Sequence, residues 1–181
     1  MRIALRLFSV TLLLLVSAAL ARAQVFSGVD AMNSTVMQQH QSSFSGVGVR
    51  VRLHSAQIVE GFELLPIIEY WRNGTSVEPF GITTSRKDAT LGADIRYSFK
   101  GEGWRPYLGG GLGVHFLATD VDAPSLGLHN QRDSVIKGGL SALAGITFPL
   151  TKHVDNFVEL KYHQLRGYSQ LKFNMGIAWG R

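Results

Sequence analysis

Hydrophobic and polar residues alternate with a period of two through most of this chain. From Ser45 to His54, Val47, Val49, Val51 and Leu53 share one face, and Gly46, Gly48, Arg50, Arg52 and His54 the other. Gly61–Trp71 sets Phe62, Leu64, Ile68 and Tyr70 against Glu63 and Glu69, with Leu65 and Ile67 blurring the division. Asp88–Phe99 sets Ala89, Leu91, Ala93, Ile95, Tyr97 and Phe99 against Thr90, Gly92, Asp94, Arg96 and Ser98. Trp104–Phe116 sets Trp104, Leu108, Leu112, Val114 and Phe116 against Arg105, Tyr107, Gly109, Gly111, Gly113 and His115. In Ser134–Pro149 the apolar face runs Ile136, Leu140, Ala142, Ala144, Ile146, Phe148, opposite Lys137, Gly139, Ser141, Gly145 and Thr147. Asn156–Gln164 opposes Val158, Leu160 and Tyr162 to Glu159, Lys161 and His163. Ser169–Gly180 opposes Leu171, Phe173, Met175, Ile177 and Trp179 to Lys172, Asn174, Gly176 and Ala178. This pattern predicts strands whose two faces meet different surroundings.

Segment length indicates what those surroundings are. The segments run near the ~9–11 tilted residues that a strand needs to cross a bilayer, longer than the ~5–6 usual in soluble sheets. Glycines interleave with the charges on the polar face and leave room for long side chains from neighbouring strands, as in the filled interior of a small barrel. Phe99, Trp104, Phe148 and Trp179 fall near one set of strand ends, and Tyr70 and Phe116 near the other, as aromatic girdles at two headgroup layers would. A soluble sandwich or lipocalin-like barrel is the alternative, with the apolar faces forming its core.

Connections then set the strand count. Asn73–Lys87 and Thr119–Asp133 read as long loops, and Lys100–Gly103, Leu150–Asp155 and Leu165–Tyr168 as short ones. Outer-membrane barrels carry long loops outside and short turns on the periplasmic side. That phasing puts Ser55–Glu60 in the periplasm and Ser34–Ser42 outside, and requires one more strand near Gln24–Asn33. The expected fold is all-β: an eight-stranded antiparallel up-and-down transmembrane β-barrel with short periplasmic turns. Gly28, Asp30 and Asn33 give the first strand poor propensity. Pro66 lies inside a strand, where it removes a ladder hydrogen bond, so a bulge is expected there. Gly109-Gly110-Gly111 predicts a bend or a close backbone approach.

Composition sharpens this reading. The 181 residues include 20 glycines and no cysteine, and only 17% are charged. Low charge argues against disorder, and the missing cysteine excludes disulfides, thiolate metal sites and a thiol nucleophile. Residues 1–23 read as a cleaved secretory signal peptide: Arg2 and Arg6 precede the apolar Leu7–Leu20, and Ala21-Arg22-Ala23 has the small-x-small form of a cleavage site before Gln24. The apolar stretch is shorter than the ~20 residues of a spanning helix. The barrel domain is then 24–181. Cleavage removes Arg2, Arg6 and Arg22 and lowers the formal charge from +5 to +2. The basic balance thus belongs mostly to the leader, and no nucleic-acid partner is expected.

Three stretches carry a family resemblance: Phe62-Glu63-Leu64-Leu65-Pro66-Ile67-Ile68-Glu69-Tyr70-Trp71, Arg105-Pro106-Tyr107-Leu108-Gly109-Gly110-Gly111-Leu112-Gly113, and the closing Val158–Trp179 hairpin. They resemble the outer-membrane protein β-barrel domain family, small eight-stranded barrels like the OmpA membrane domain, OmpX and OmpW. The resemblance covers most of 24–181 and implies a fold and a place in the Gram-negative cell envelope. It carries no substrate and no catalytic residue. Asn174, Gly176 and Trp179 look like part of the terminal signal read by the barrel-assembly machinery, although here Gly180 and Arg181 follow the aromatic residue.

The inward faces are expected to gather a lumen charge network of Arg50, Arg52, Glu63, Glu69, Asp94, Arg96, Arg105, Lys137, Glu159, Lys161 and Lys172, with His54, His115 and His163. Arg50, Arg52 and Arg96 are expected to pair with Glu63, Glu69 and Asp94 on adjacent strands. An eight-stranded interior is just wide enough for side chains, so ion pairs filling the lumen are favoured over a conduit. The girdle is assigned to Tyr70, Phe99, Trp104, Phe116, Phe148 and Trp179. Glu159, His163 and Ser169 are the one set that could be tried as a hydrolytic triad, but no His-x-Ser pair follows His163. Asn73-Gly74-Thr75 is a sequon, expected in an exposed loop. No metal-ligand spacing or phosphate loop occurs, and no cofactor, metal or catalytic residue is expected. The functional expectation is a non-enzymatic structural or interaction barrel, whose partners are outer-membrane lipid, the assembly machinery and an unidentified envelope or extracellular protein. A narrow, porin-like channel for small ionic or apolar solutes is the alternative, followed by a lipid-modifying enzyme.

Overall fold

The computed structural model describes residues 24–38, 42–55, 60–77, 81–101, 103–126 and 128–180. The expected leader and its cleavage site lie outside these residues. Eight strands follow one another: β1 (Gln24–Gln38), β2 (Phe44–Ser55), β3 (Phe62–Val77), β4 (Ile82–Ser98), β5 (Arg105–Ala123), β6 (Leu128–Pro149), β7 (Val154–Leu165) and β8 (Tyr168–Trp179). Each pairs antiparallel with its sequence neighbours, and β8 returns to β1 from Val29↔Trp179 to Gln38↔Gln170, closing the barrel. Among the described residues no helix is long and apolar enough to cross a membrane.

The barrel is inside out. Leu91, Leu108, Leu112, Ile136, Leu140 and Met175 are exposed on the outer wall, whereas Asp30, Arg50, Asp88, Glu159, Lys161 and Lys172 are buried. In water this arrangement would forfeit the hydrophobic effect. It is stable where the outer surroundings are hydrocarbon and the enclosed polar groups satisfy one another.

Strand ends differ from the expected ones for a common reason. β3 and β4 stay paired through Asn73↔Arg86 to Val77↔Ile82, and β5 and β6 through Thr119↔Asp133 to Ala123↔Leu128. β4 and β5 are also paired as far as Thr83↔Asp122. The segments Asn73–Lys87 and Thr119–Asp133 are therefore not long loops. They form a four-stranded wall projecting beyond the barrel, and the sequon lies in its β3 strand. Residues outside a bilayer lose the strict apolar–polar alternation, so the sequence resembles loop where the backbone is still sheet. β1 likewise runs to Gln38, five residues past its expected end. On the opposite side of the mouth, Arg166 and Gly167 alone connect β7 to β8. Gly167 has φ +72°, in the left-handed region a tight turn asks of glycine.

No bulge forms at Pro66. Arg50↔Ile67 and Leu53↔Leu64 keep one register across it, and the β2–β3 ladder skips the residues between. The missing amide is absorbed as a gap, while Pro66 stays paired with Ala93 on β4. Register shifts occur instead at Phe26/Gly28 and Val121/Ala123. The close approach expected of the glycine run is present: a Cβ at Gly111 would stand 2.2 Å from Asp94 Oδ1 and 2.4 Å from the Ala93 carbonyl oxygen.

Candidate functional site

The lumen is crossed by ion pairs that tie distant strands together. Near the end where β1 begins and β8 finishes, Arg50 on β2 donates from Nε to Asp30 on β1 (2.7 Å) and from Nη1 to Glu159 on β7 (2.8 Å). Arg52 Nε lies 2.9 Å from the other Asp30 oxygen, and its Nη2 donates to the Trp179 carbonyl at 2.7 Å. Arg96 donates to Glu63 at 2.6 Å. Glu159 is completed by the Tyr107 hydroxyl at 3.0 Å and by Asn174 Nδ2 at 2.9 Å. The Arg50 guanidinium also lies over the Phe157 ring, and that of Arg96 over the Tyr107 ring. Interior glycines make room for those rings: a Cβ at Gly145 would be 2.5 Å from Tyr107, and one at Gly176 2.5 Å from Phe157.

A second layer lies further toward the projecting wall. Lys172 donates to Glu69 at 3.0 Å, and Lys161 donates to Asp94 at 2.6 Å while standing 3.8 Å from Glu69. Ser141 adds a hydrogen bond to Asp94 at 2.9 Å. His163 Nε2 is 3.6 Å from Glu69, and its ring meets His115 edge to face at 5.3 Å. His115 in turn is held by Asp88 and Thr90, each 2.9 Å from Nδ1. Across both layers Arg50, Arg52, Arg96, Lys161 and Lys172 face Asp30, Glu63, Glu69, Asp94 and Glu159, and the further buried carboxylate, Asp88, is bonded to His115. Arg50, Glu159, Lys161 and Lys172 are at most 1% exposed, so solvent does not reach the middle of the lumen.

The structure sorts the expected residues into three groups. Arg50, Arg52, Glu63, Glu69, Asp94, Arg96, Glu159, Lys161 and Lys172 lie together in the network. Their pairing is corrected in one respect: only Arg96–Glu63 joins adjacent strands among the expected partners. Glu69 and Asp94 reach across the lumen to β7 and β8, because side chains of this length span a narrow interior. Arg105 stands apart at the terminal end, 2.5 Å from Asp155, beside His54 in a vestibule of about 170 Å³. Lys137 is also apart, half-buried and donating to the Arg166 carbonyl at 3.2 Å near the far mouth.

Asp30, Asp88, Tyr107 and Asn174 are the network members missing from the expected set. Asp30 alternates with the outward Val29 and Ala31, and that parity was its available signal. The trial triad does not assemble, since Glu159 is occupied by Arg50, Tyr107 and Asn174, and His163 faces Glu69. Among the described residues no three His, Asp or Glu side chains converge as a metal site. On the outside, Trp104 stacks on Phe148 at 5.6 Å, and Phe99 meets Tyr97 at 5.0 Å. Trp179 is exposed at that same end, and Tyr70 and Phe116 are exposed at the other.

An apolar wall around a closed, charge-filled lumen defines a transmembrane β-barrel, and its architecture is that of the small eight-stranded barrels of bacterial outer membranes. No family model matches the chain, and no curated protein matches its sequence. Solved structures do share its fold. Neisserial surface protein A superposes with a TM-score of 0.60 at 18% identity, over 86% of this chain and 96% of that one. Ail, the attachment invasion locus protein of Yersinia pestis solved with the heparin analogue sucrose octasulfate, gives 0.58 at 15% identity, over 87% and 97%. A major outer membrane protein of Thermus thermophilus gives 0.64 at 10% identity, over 84% and 98%.

Proposed function

We propose that the chain is an integral outer-membrane barrel of structural or interaction type, without enzymatic activity, whose lumen is a plug and not a pore. The solvent-excluded network carries this reading. Its cations and carboxylates pair with one another across the lumen, so a permeating ion would have to break several pairs to pass. The vestibule beside Arg105 is lined by Arg52, Arg96 and Glu63 of that network. What the barrel presents outward is the four-stranded wall of β3–β6, which suits contact with an envelope or extracellular partner. Assembly by the barrel-assembly machinery, with β8 as the recognised strand, belongs to the same proposal.

Melting and conductance measured on one variant test the plug. Glu69→Gln is expected to lower the unfolding temperature of the purified barrel and to leave planar bilayers without sustained current steps. A stable variant with steps of altered ion selectivity would establish the narrow channel instead. Changed lipid A on overproduction would favour the enzyme.

Orientation is tested in intact cells. A protease-sensitive tag at Pro124–Leu126, at the tip of the projecting wall, is expected to be cut. One placed in Lys100–Gly103 is expected to survive until the envelope is opened. The reverse result would point the wall into the periplasm.

A further inference from the structure

On the outer wall, β3–β6 carry one last largely apolar rung, Tyr70–Ala89–Phe116–Ile136, toward the projecting side. The next outward rung is Arg72–Lys87–Ala118–Ser134, and the one beyond it is Gly74–Ser85–Asp120–Arg132. A groove of about 340 Å³ lies where they meet, with Tyr70, Phe116 and Ile136 on its apolar side and Lys87 and Arg132 on its charged side. Lys87 Nζ donates to Asp120 at 3.0 Å, and Arg132 Nε stands 3.6 Å from the other carboxylate oxygen. Arg72 is bonded to Ser85 at 3.0 Å on the same face. The hydrogen bond from Lys87, then the charges of Lys87, Arg132 and Arg72, hold the Asp120 carboxyl below the usual carboxylate range. Among the described residues, Lys87 and Arg132 flank the Asp120 carboxylate and Arg72 adds its charge, directly above an apolar groove.

We propose that this groove binds a phosphorylated lipid, with an acyl chain along Phe116 and Ile136 and the phosphate on Lys87 and Arg132. The inference rests on the reading of the outer wall as a bilayer-facing surface. Each half of the groove matches only half of such a molecule. A free phosphate would leave the apolar side unused, and a zwitterionic lipid would not compensate the excess positive charge. Lys87 donates one hydrogen bond to Asp120 and Arg132 only approaches it, and both side chains carry further N–H donors. At the opposite end of the barrel the exposed Lys100 is paired with Glu60 at 3.1 Å, outside any such groove.

The full barrel, inserted into phosphatidylcholine vesicles containing a small fraction of phosphatidic acid with the same chains, provides the test. Lipid retained after detergent extraction is counted by native mass spectrometry. The unaltered barrel is expected to retain phosphatidic acid over phosphatidylcholine by roughly tenfold or more, and each cation removed in K87Q and R132Q to cost about fivefold of that preference. K100Q is expected to leave it unchanged, and glycerol phosphate not to displace the lipid. Equal retention of both lipids by an inserted barrel would overturn the site and leave the membrane reading standing, as would a preference indifferent to K87Q and R132Q. Displacement by glycerol phosphate would make the cations a phosphate site without a lipid. Failure to insert into either vesicle would sink both readings together.

Discussion

Arg50→Met is expected to destabilise the folded barrel by about 3–5 kcal/mol, the scale of loss when one partner of a buried ion pair is removed. Arg50 is the only side chain that joins Asp30 to Glu159 among the described residues, and it is fully buried with both. Its loss leaves Glu159 with hydrogen bonds from Tyr107 and Asn174 and only the more distant charge of Lys161, and Asp30 with Arg52 and, at 3.9 Å, Arg96. Urea unfolding in vesicles measures the change. Arg50→Met combined with Glu159→Gln is expected to recover part of it, because the stranded charge is then gone as well. A loss below about 1 kcal/mol, the range of exposed pairs, would show that water already screens this layer and that the lumen is open.

Leu112→Arg tests the opposite face. Leu112 is 67% exposed on the outer wall of β5, and a charge near the bilayer midplane costs ~2–4 kcal/mol. Leu160→Arg on β7 is expected to behave alike, with both variants failing to reach the heat-resistant folded form. Suitable inward controls are fewer than alternation alone suggests. Gly111 would drive any side chain into Asp94, and Lys161 holds that same carboxylate. His54, half-buried at the vestibule, is the gentler choice, and His54→Gln is expected to assemble normally. Assembly of Leu112→Arg as efficient as that of His54→Gln would show that the wall around Leu112 does not face lipid.

The strands inside the apolar band were legible because two solvents write a period of two into the sequence. Val158, Leu160 and Tyr162 against Glu159, Lys161 and His163 is that signal undiluted, and β7 matches its expected limits within two residues. β1 was legible only through the need for an even strand count. It turns Met32 and Val36 inward and Asn33 and Thr35 outward, so apolar and polar residues exchange faces along it. Asp30, which lowers the strand propensity of β1, is also the carboxylate that binds Arg50 and Arg52. Local propensity and tertiary role point in opposite directions at that residue, and the role prevails. The pairing partners were hidden for another reason. Alternation tells which face a side chain takes but not how far it reaches, and the long Lys and Arg side chains reach across a lumen that sequence neighbours do not measure. The cations of the projecting wall were hidden with the wall itself, since Arg72, Lys87 and Arg132 fell in or beside segments that read as loop.

Closure by β1 and β8 has a consequence for the order of folding. Asp30 comes from the first strand and Lys172 and Asn174 from the last, so the charges of the middle strands find their full set of partners only when the two ends of the barrel meet. Until Val29–Gln38 lies against Gln170–Trp179, Glu69 lacks Lys172 and the lumen stands open along one seam. Contacts of such large sequence separation form late, because the entropy of closing the long loop is spent before they repay it. Sealing the seam and cancelling the charge are therefore one cooperative event, and an incomplete barrel exposes unpaired strands and unpaired ions at the same time.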